Sequence, residues 1–307
     1  MSDNQFERLI RFGQRAEQMR DDLDVGFVAR ELVQATLPHQ DPKADTFIRK
    51  NGNLALVVRA GVDSNGNSLG LPYGSIPRLL LAFLNTEAVR RKSPHIQLGD
   101  SLSDFCRAVG LNPSNGSQLK RLQKQVRRLL YASLQFQRRE LTADFEFERF
   151  VNVPVARKAE LWFFYDKKFR DERSLFGESW VELDAEFYKA LVAAPVPLDL
   201  STLNQLKQSP LALDVAMWTT YRCFTTRREL ELSWYQLAQQ FGSDFTDIRN
   251  FARAFRDAVS KVRFVAPYLN VQTIEGGVVL KPSRVGMVPS KPRKRKVLPV
   301  PTDPSTS

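Results

Sequence analysis

Ser101-Leu102-Ser103-Asp104-Phe105-Cys106-Arg107-Ala108-Val109-Gly110 reads as one short helix with both ends marked. Ser101 and Asp104 have the spacing of a capping box, in which a hydroxyl and a third-position side chain take up the amides that open a helix. Gly110 is the C-cap, and Leu102, Phe105 and Val109 fall on the inward face. Ser233-Trp234-Tyr235-Gln236 repeats the box, and the helix it opens ends at Gly242. The two serines are 132 residues apart, and so are the two glycines.

The surroundings repeat as well. Before the first box, Ser75-Ile76-Pro77 opens a helix with a stripe of Leu79, Leu80, Phe83, Leu84 and Val89, stopped by Lys92-Ser93-Pro94. A short strand, His95–Leu98, follows it. After the box, the turn Leu111–Gly116 leads to a third helix from Ser117. Two strand-like runs come next, Ser133–Arg139 and Phe145–Val153, around the turn Glu140–Asp144. In the second copy Ser209-Pro210 opens a helix carrying Leu213, Val215, Ala216, Met217 and Trp218. The strand is Glu229–Leu232, the third helix Thr246–Val262, and the hairpin Tyr268–Ile274 with Val278–Lys281 around Gly276-Gly277. Helix, strand, helix, turn, helix, hairpin is the winged-helix plan. The expected fold class is therefore α+β, with tandem winged-helix domains at 71–160 and 209–288 and a connecting segment at 161–208.

An N-terminal extension, 1–70, precedes them and is a candidate dimerisation piece. Phe6, Leu9, Ile10 and Phe12 read as a short amphipathic helix, Asp24–Ala35 as another, Leu54–Val58 as a strand, and Asn65-Gly66 as a turn. The tail, 289–307, is basic and Pro-rich and cannot build a core. Lys291–Lys296 could pass for a nuclear import signal and is read instead as a disordered arm adding nonspecific phosphate contacts.

The chain has 307 residues, enough for two domains, with 43% hydrophobic residues to fill them. Its net charge of +11 favours a polyanionic partner, nucleic acid first and an acidic membrane surface second. No apolar run approaches the roughly 18 residues of a transmembrane helix, and the N-terminus lacks a signal-peptide layout. The expected location is the cytoplasm. Two cysteines, Cys106 and Cys223, make neither a disulfide framework nor a four-ligand zinc site. No P-loop and no Gly-x-Gly-x-x-Gly occurs. The two histidines, His39 and His95, stand apart, whereas origin-nicking endonucleases need a pair to hold a metal. The acids are scattered. The sequence thus predicts no catalytic residues, no metal and no cofactor: a binding protein.

The third helices carry the candidate DNA contacts. Leu119, Leu122, Val126, Leu129 and Leu130 lie on one side of the first; Ser117, Arg121, Lys124 and Arg128 lie on the other, flanked by Lys120 and Gln125. No acid interrupts Ser117–Tyr131, and so cationic a face suits phosphate anchoring. In the second, Ile248, Phe251, Phe255, Val259 and Val262 face inward. Thr246, Asn250, Arg253 and Asp257 face outward, with Arg249 and Arg256 beside them. Arg pairs with guanine and Asn with adenine, so this mixed face suits base reading. The expected wings are Arg138-Arg139 near the first hairpin turn and Gln272–Lys281 in the second.

Several strings resemble a known family. They are Phe27-Val28-Ala29-Arg30-x-Leu32-Val33-Gln34-Ala35-Thr36-Leu37-Pro38-His39, Arg49–Leu54, Gly70-Leu71-Pro72-Tyr73-Gly74-Ser75-Ile76-Pro77-Arg78-Leu79-Leu80-Leu81, Thr86–Arg90 and Leu98–Ser103. Together they resemble the plasmid-encoded RepA replication initiators of bacteria over roughly residues 25–135; the second half is similar by architecture. The resemblance implies a non-enzymatic protein that binds repeated sites in double-stranded origin DNA and helps open it for the host replisome. The host initiator and the replicative helicase are then the expected partners, with a homodimer as a candidate state. A tandem winged-helix repressor is the alternative, and an origin-nicking enzyme a weaker one.

Overall fold

The computed structural model of the protein describes residues 25–99, 101–141, 146–161, 179–193, 195–242 and 245–282. The expected helix at Phe6–Phe12 and the tail from 289 lie outside them. The N-terminal segment supplies β1 (Val25–Ala29), α1 (Arg30–Gln34), β2 (Thr46–Asn51) and β3 (Leu54–Arg59). Next come α2 (Ser75–Arg91), β4 (His95–Gln97), α3 (Leu102–Ala108) and α4 (Gly116–Tyr131). They lead to β5 (Ser133–Leu141), β6 (Glu146–Pro154), β7 (Ala156–Glu160) and β8 (Trp180–Leu183). α5 (Ala185–Ala193), β9 (Pro195–Asp199) and α6 (Leu200–Leu206) precede α7 (Pro210–Thr225), β10 (Leu230–Ser233) and α8 (Trp234–Phe241). α9 (Ile248–Val265), β11 (Val271–Ile274) and β12 (Gly277–Leu280) close the described chain. The architecture is α+β, as expected.

Asp24–Ala35 is not one helix. Val25–Ala29 is extended and pairs antiparallel with β9, Val25 opposite Asp199, and only Arg30–Gln34 turns helical. A strand far along the chain supplies the hydrogen bonds, so local periodicity did not reveal the pairing.

Sheet order relates the two copies more closely than their helices do. β10, β12 and β11 form one three-stranded sheet in that order; β4, β8 and β7 form another. In each, the strand after the first helix bonds to the second strand of a later hairpin. The hairpin that answers to β11–β12 is therefore β7–β8. The expected wing, β5–β6, belongs to a different sheet of order β2-β3-β5-β6. β3 pairs with β5 along its whole length, Leu54 opposite Arg138 through Arg59 opposite Ser133, with Leu56, Val58 and Leu134 all buried beneath. The N-terminal hairpin thus captures β5–β6. β8, within the segment read as a connector, completes the sheet of the first unit.

The caps also differ between copies. Ser233 has both limbs of the box, its hydroxyl accepting from the Gln236 amide and its own amide donating to the Gln236 side chain. Ser101 accepts from the Asp104 amide at 3.1 Å, but the shorter Asp104 carboxylate turns to the Ser101 hydroxyl and to Arg107. Gly110 takes the left-handed conformation, φ 80°, that favours glycine at a helix end. Gly242 does not, at φ −96°; a Cβ there would meet the Ala238 carbonyl oxygen at 2.7 Å, so close approach explains this glycine.

α2 is buried on nearly every side, well beyond the expected stripe: Arg78, Leu81, Asn85 and Thr86 are enclosed as well. β1, α4, α5 and α7 all pack on it, and the Phe27 amide donates to the Thr86 hydroxyl at 2.9 Å. The second unit is built around rings. Trp218 meets Phe241 and Phe255 edge-on at 5.5 and 6.2 Å, and Phe251 stands 5.5 Å from Phe255. Such pairs add to the energy of burying their area.

A polar cluster joins the two units inside the molecule. Arg78, in the first turn of α2, donates from Nε to one carboxylate oxygen of Asp214 at 2.6 Å and from Nη2 to the other at 2.7 Å. Its remaining donors reach the carbonyls of Pro38, Gly74 and Leu37 at 3.1, 2.7 and 2.6 Å. His39 Nε2 lies 2.8 Å from Asp214 Oδ2. Burial alone would raise the Asp214 pKa, but the Arg78 charge and the hydrogen bonds from His39 and Arg78 outweigh it and hold the carboxyl down at about 2. A second tie runs from Gln34 to the Tyr221 hydroxyl and from Gln240 back to the Gln34 carbonyl.

Candidate nucleic-acid interface

α4 begins at Gly116 because the Asn115 side chain accepts from the Gln118 amide as the N-cap. Its apolar face, Leu122, Val126, Leu129 and Leu130, is buried, which turns the opposite face outward. Ser117, Lys120, Arg121 and Lys124 are exposed there, as the sequence predicts. Arg128 is not. It is only 8% exposed, because Gly70–Tyr73 crosses the C-terminal half of the helix. Its guanidinium donates to the carbonyls of Leu69 and Leu71 at 2.8 and 3.1 Å, reaches Asp41 at 3.3 Å, and lies 5.2 Å from the Tyr73 ring centre. Gln125, expected beside the outer face, is buried too and accepts from the Tyr73 amide.

Helical projection assumes that nothing lies over the helix, and here a glycine permits something to. Gly70 has φ 76°, and a Cβ on it would meet Arg128 Nη2 at 2.7 Å. The outer face therefore shifts by part of a turn, towards Arg127, which is exposed and which the projection passed over. Ser68, Leu69, Gln123, Lys124, Arg127 and Arg128 line an open hollow of about 480 Å3, whose cationic lining suits contacts with a phosphate backbone. Burial raises the carboxyl pKa of Asp41, the acid partner of Arg128, but the Lys43 amide and the Arg128 guanidinium prevail and hold it below the ordinary range.

These positions separate two roles. Lys124→Ala is expected to lower the log–log salt slope of DNA binding by about 1. Arg128→Ala should leave that slope unchanged and cost about 1.5–3 kcal/mol of folding stability, the range for hydrogen bonds to a charged group. Titration of DNA at several salt concentrations, beside a urea melt of each variant, checks both. A reduced slope with Arg128→Ala would place that guanidinium on DNA.

On α9 the N-cap is Asp247, so Thr246 stands exposed just before the helix rather than on its face. The Arg249 amide, its side chain and the nearby Arg253 charge keep the Asp247 carboxyl below its usual range. Phe251, Phe255, Val259 and Val262 are buried, while Ile248, expected inside, is 43% exposed in the first turn. Asn250, Arg253 and Arg256 are exposed. Arg249 reaches back to Asp247 at 3.4 Å, and Arg256 lies over the Trp234 ring at 4.6 Å. Asp257 pairs with Lys261 at 2.6 Å and not with an arginine. The hairpin turn after β11 is clamped, with Trp234 Nε1 donating to the Glu275 carbonyl at 2.7 Å and the Trp234 amide to Gly276.

Arg138 and Arg139 fall on β5, opposite Arg149 and Glu148 of β6, in the sheet that holds no part of β4. They are strand residues, not the tip of a wing beside α4. Cys106 and Cys223 are both buried thiols in no disulfide, and no described helix is long and apolar enough to cross a membrane.

The profile of the family described as plasmid encoded RepA protein matches residues 71–236, from the Leu71-Pro72-Tyr73 stretch that crosses α4 to the capping box of α8. The chain belongs to the plasmid-encoded RepA family. That membership supports a role in plasmid replication initiation. The RepA match begins beyond β1–β3 and stops before α9, so the hairpin that captures β5 and the outward face of α9 lie outside it. Among solved structures, a crystal structure of domain 2 and domain 3 of RctB overlaps 82% of this chain and 96% of that one, at 11% identity and a TM-score of 0.49. None of the curated proteins compared with the chain matches it.

Proposed function

We propose that this RepA-family chain binds repeated sites in double-stranded origin DNA as a replication initiator. Its two units act as winged helices, α4 anchoring phosphates and α9 reading bases in the major groove. Bound at its repeats, it helps open the adjacent duplex and brings the host initiator and the replicative helicase to it by protein contact. The observation that carries this reading is the pair of outward faces. One carries no acid of its own and exposes Ser117, Lys120, Arg121, Lys124 and Arg127; the other offers Asn250 and Arg253; and each stands on a unit that runs helix, strand, helix, helix before its later strands. The role needs no bond-making group, cofactor or metal.

The deciding experiment is complementation. Duplexes selected by the full chain from a random pool identify its repeats, and a plasmid carrying them, without an initiator of its own, should replicate when the chain is supplied in trans. Tight, specific binding without replication would instead make the protein a repressor. Supercoiled plasmid incubated with the pure protein and Mg²⁺ is expected to stay unnicked; metal-dependent nicking at one site would overturn the non-enzymatic part of the proposal.

A further inference from the structure

The buried contacts between the two units touch no surface that DNA could reach, yet they bear on which DNA can be bound. We infer that Arg78, Asp214 and His39 are positioning residues that hold α4 and α9 in one fixed relation, so that the chain recognises a composite site of set spacing. This inference rests on the DNA-binding reading above and adds to it a spacing rule.

The geometry is direct. α4 packs on α2, and α9 packs on α7. Each candidate recognition helix therefore takes its orientation from the helix beneath it. Arg78 belongs to α2 and Asp214 to α7, and each is at most 4% exposed. Two parallel N–H···O bonds between a guanidinium and a carboxylate fix direction as well as distance. The same guanidinium is held by three backbone carbonyls, at Leu37, Pro38 and Gly74, so it cannot follow Asp214 if α7 swings away. His39 takes hold of the carboxylate from a third direction. A buried carboxylate parted from these donors has no water to turn to, so a partly opened state is disfavoured. Outside the cluster, the Gln34–Tyr221 and Gln240–Gln34 bonds brace the same junction, and Lys207 Nζ donates to the Gly110 carbonyl at 2.7 Å behind α3.

Two linked binding surfaces gain from each other only while both can engage at once, and the gain vanishes when geometry forbids it. A rigid junction makes that condition strict. Five base pairs inserted between the two contacted patches would turn one patch about half a helical turn away from the other.

The test uses the full chain and the duplex it selects, with the two patches mapped by footprinting. Inserting 5 bp between them is expected to weaken binding by the wild type about a hundredfold. Asp214→Asn and the milder His39→Gln should bind the intact site less well but suffer the insertion much less, within about threefold. Asp214→Asn may be used only if it melts cooperatively; His39→Gln, which leaves the Arg78 pair in place, is the companion that keeps the comparison open. Spin labels at Ala108→Cys in α3 and Gln239→Cys in α8, both exposed positions, supply a readout without DNA. The wild type should give one narrow distance distribution, and the two variants broader ones. A wild type that tolerates the insertion overturns the inference while leaving DNA binding intact, as do folded variants with the full penalty and the narrow distance. A chain that selects no duplex sinks the DNA-binding reading instead, and the label distances then judge the rigid junction alone.

Discussion

Asp214→Asn should destabilise the protein by about 3–5 kcal/mol, the range for removing one partner of a buried ion pair. The substitution keeps the shape of the side chain and removes its charge. It leaves the Arg78 guanidinium, itself 4% exposed, with neutral oxygen partners alone. A urea unfolding curve measures the loss, and a change of less than about 1 kcal/mol would mean that water reaches the cluster. The same residue sets an acid limit. A carboxyl held down at about 2 contributes stability that is fully present above its ordinary value near 3.8, and that contribution is lost as pH falls from there towards 2. In Asp214→Asn this part of the acid dependence should disappear, while the dependence contributed by other carboxylates remains.

The second large effect concerns discrimination. Arg253→Ala and Asn250→Ala are each expected to lower the preference for the selected duplex over a scrambled one by about 1–3 kcal/mol, or about ten- to over a hundredfold, while most nonspecific binding survives. The structure favours these two over their neighbours. Arg249 is drawn back to Asp247 and Arg256 lies on Trp234, whereas Asn250 and Arg253 stand exposed one turn apart. Asp257 shares its charge with Lys261, so Asp257→Asn should raise nonspecific affinity and leave specificity alone. The measurement is cognate against scrambled DNA at one fixed salt concentration. Unchanged ratios in both variants would move base reading to α4 or to a hairpin.

Local signals carried the reading of the sequence where the cause was local. Caps at Ser101, Ser209 and Ser233 engage the amides that their spacing implies, whereas the Asn115 cap of α4 was read as part of a turn. The apolar faces of α4 and α9 are buried nearly as projected, Ile248 apart, and the order of the main helices in both units is visible in the chain itself. What escaped depended on distant partners. β1 is a strand because β9 pairs with it; β5–β6 is not a wing because β3 takes it; and Arg128 is enclosed because Gly70 lets a loop cross α4. The Val28–Asn53 strings, quoted for their family resemblance, hold the junction: Leu37, Pro38 and His39 around Arg78 and Asp214, and Asn51 on the Gln34 carbonyl. Their partner residue, Asp214, lies in the middle of an apolar helix and carries no signal that it is meant for them.

His39 and Asp214 are 175 residues apart, and Val25 pairs with Asp199. During synthesis, at about 5–20 residues per second, the first half of the junction must wait roughly 10–35 s for the second to leave the ribosome. Through that interval Arg78 has its carbonyls but no counter-ion, and β1 has no strand beside it. The first unit cannot reach its final form as an independent early folder, although its helices are made first. A fragment ending at 208, which by its caps and helices looks like a complete module, would leave that arginine uncompensated permanently. Fragments for the laboratory are better cut beyond α7 than before it, so that Asp214 stays with Arg78.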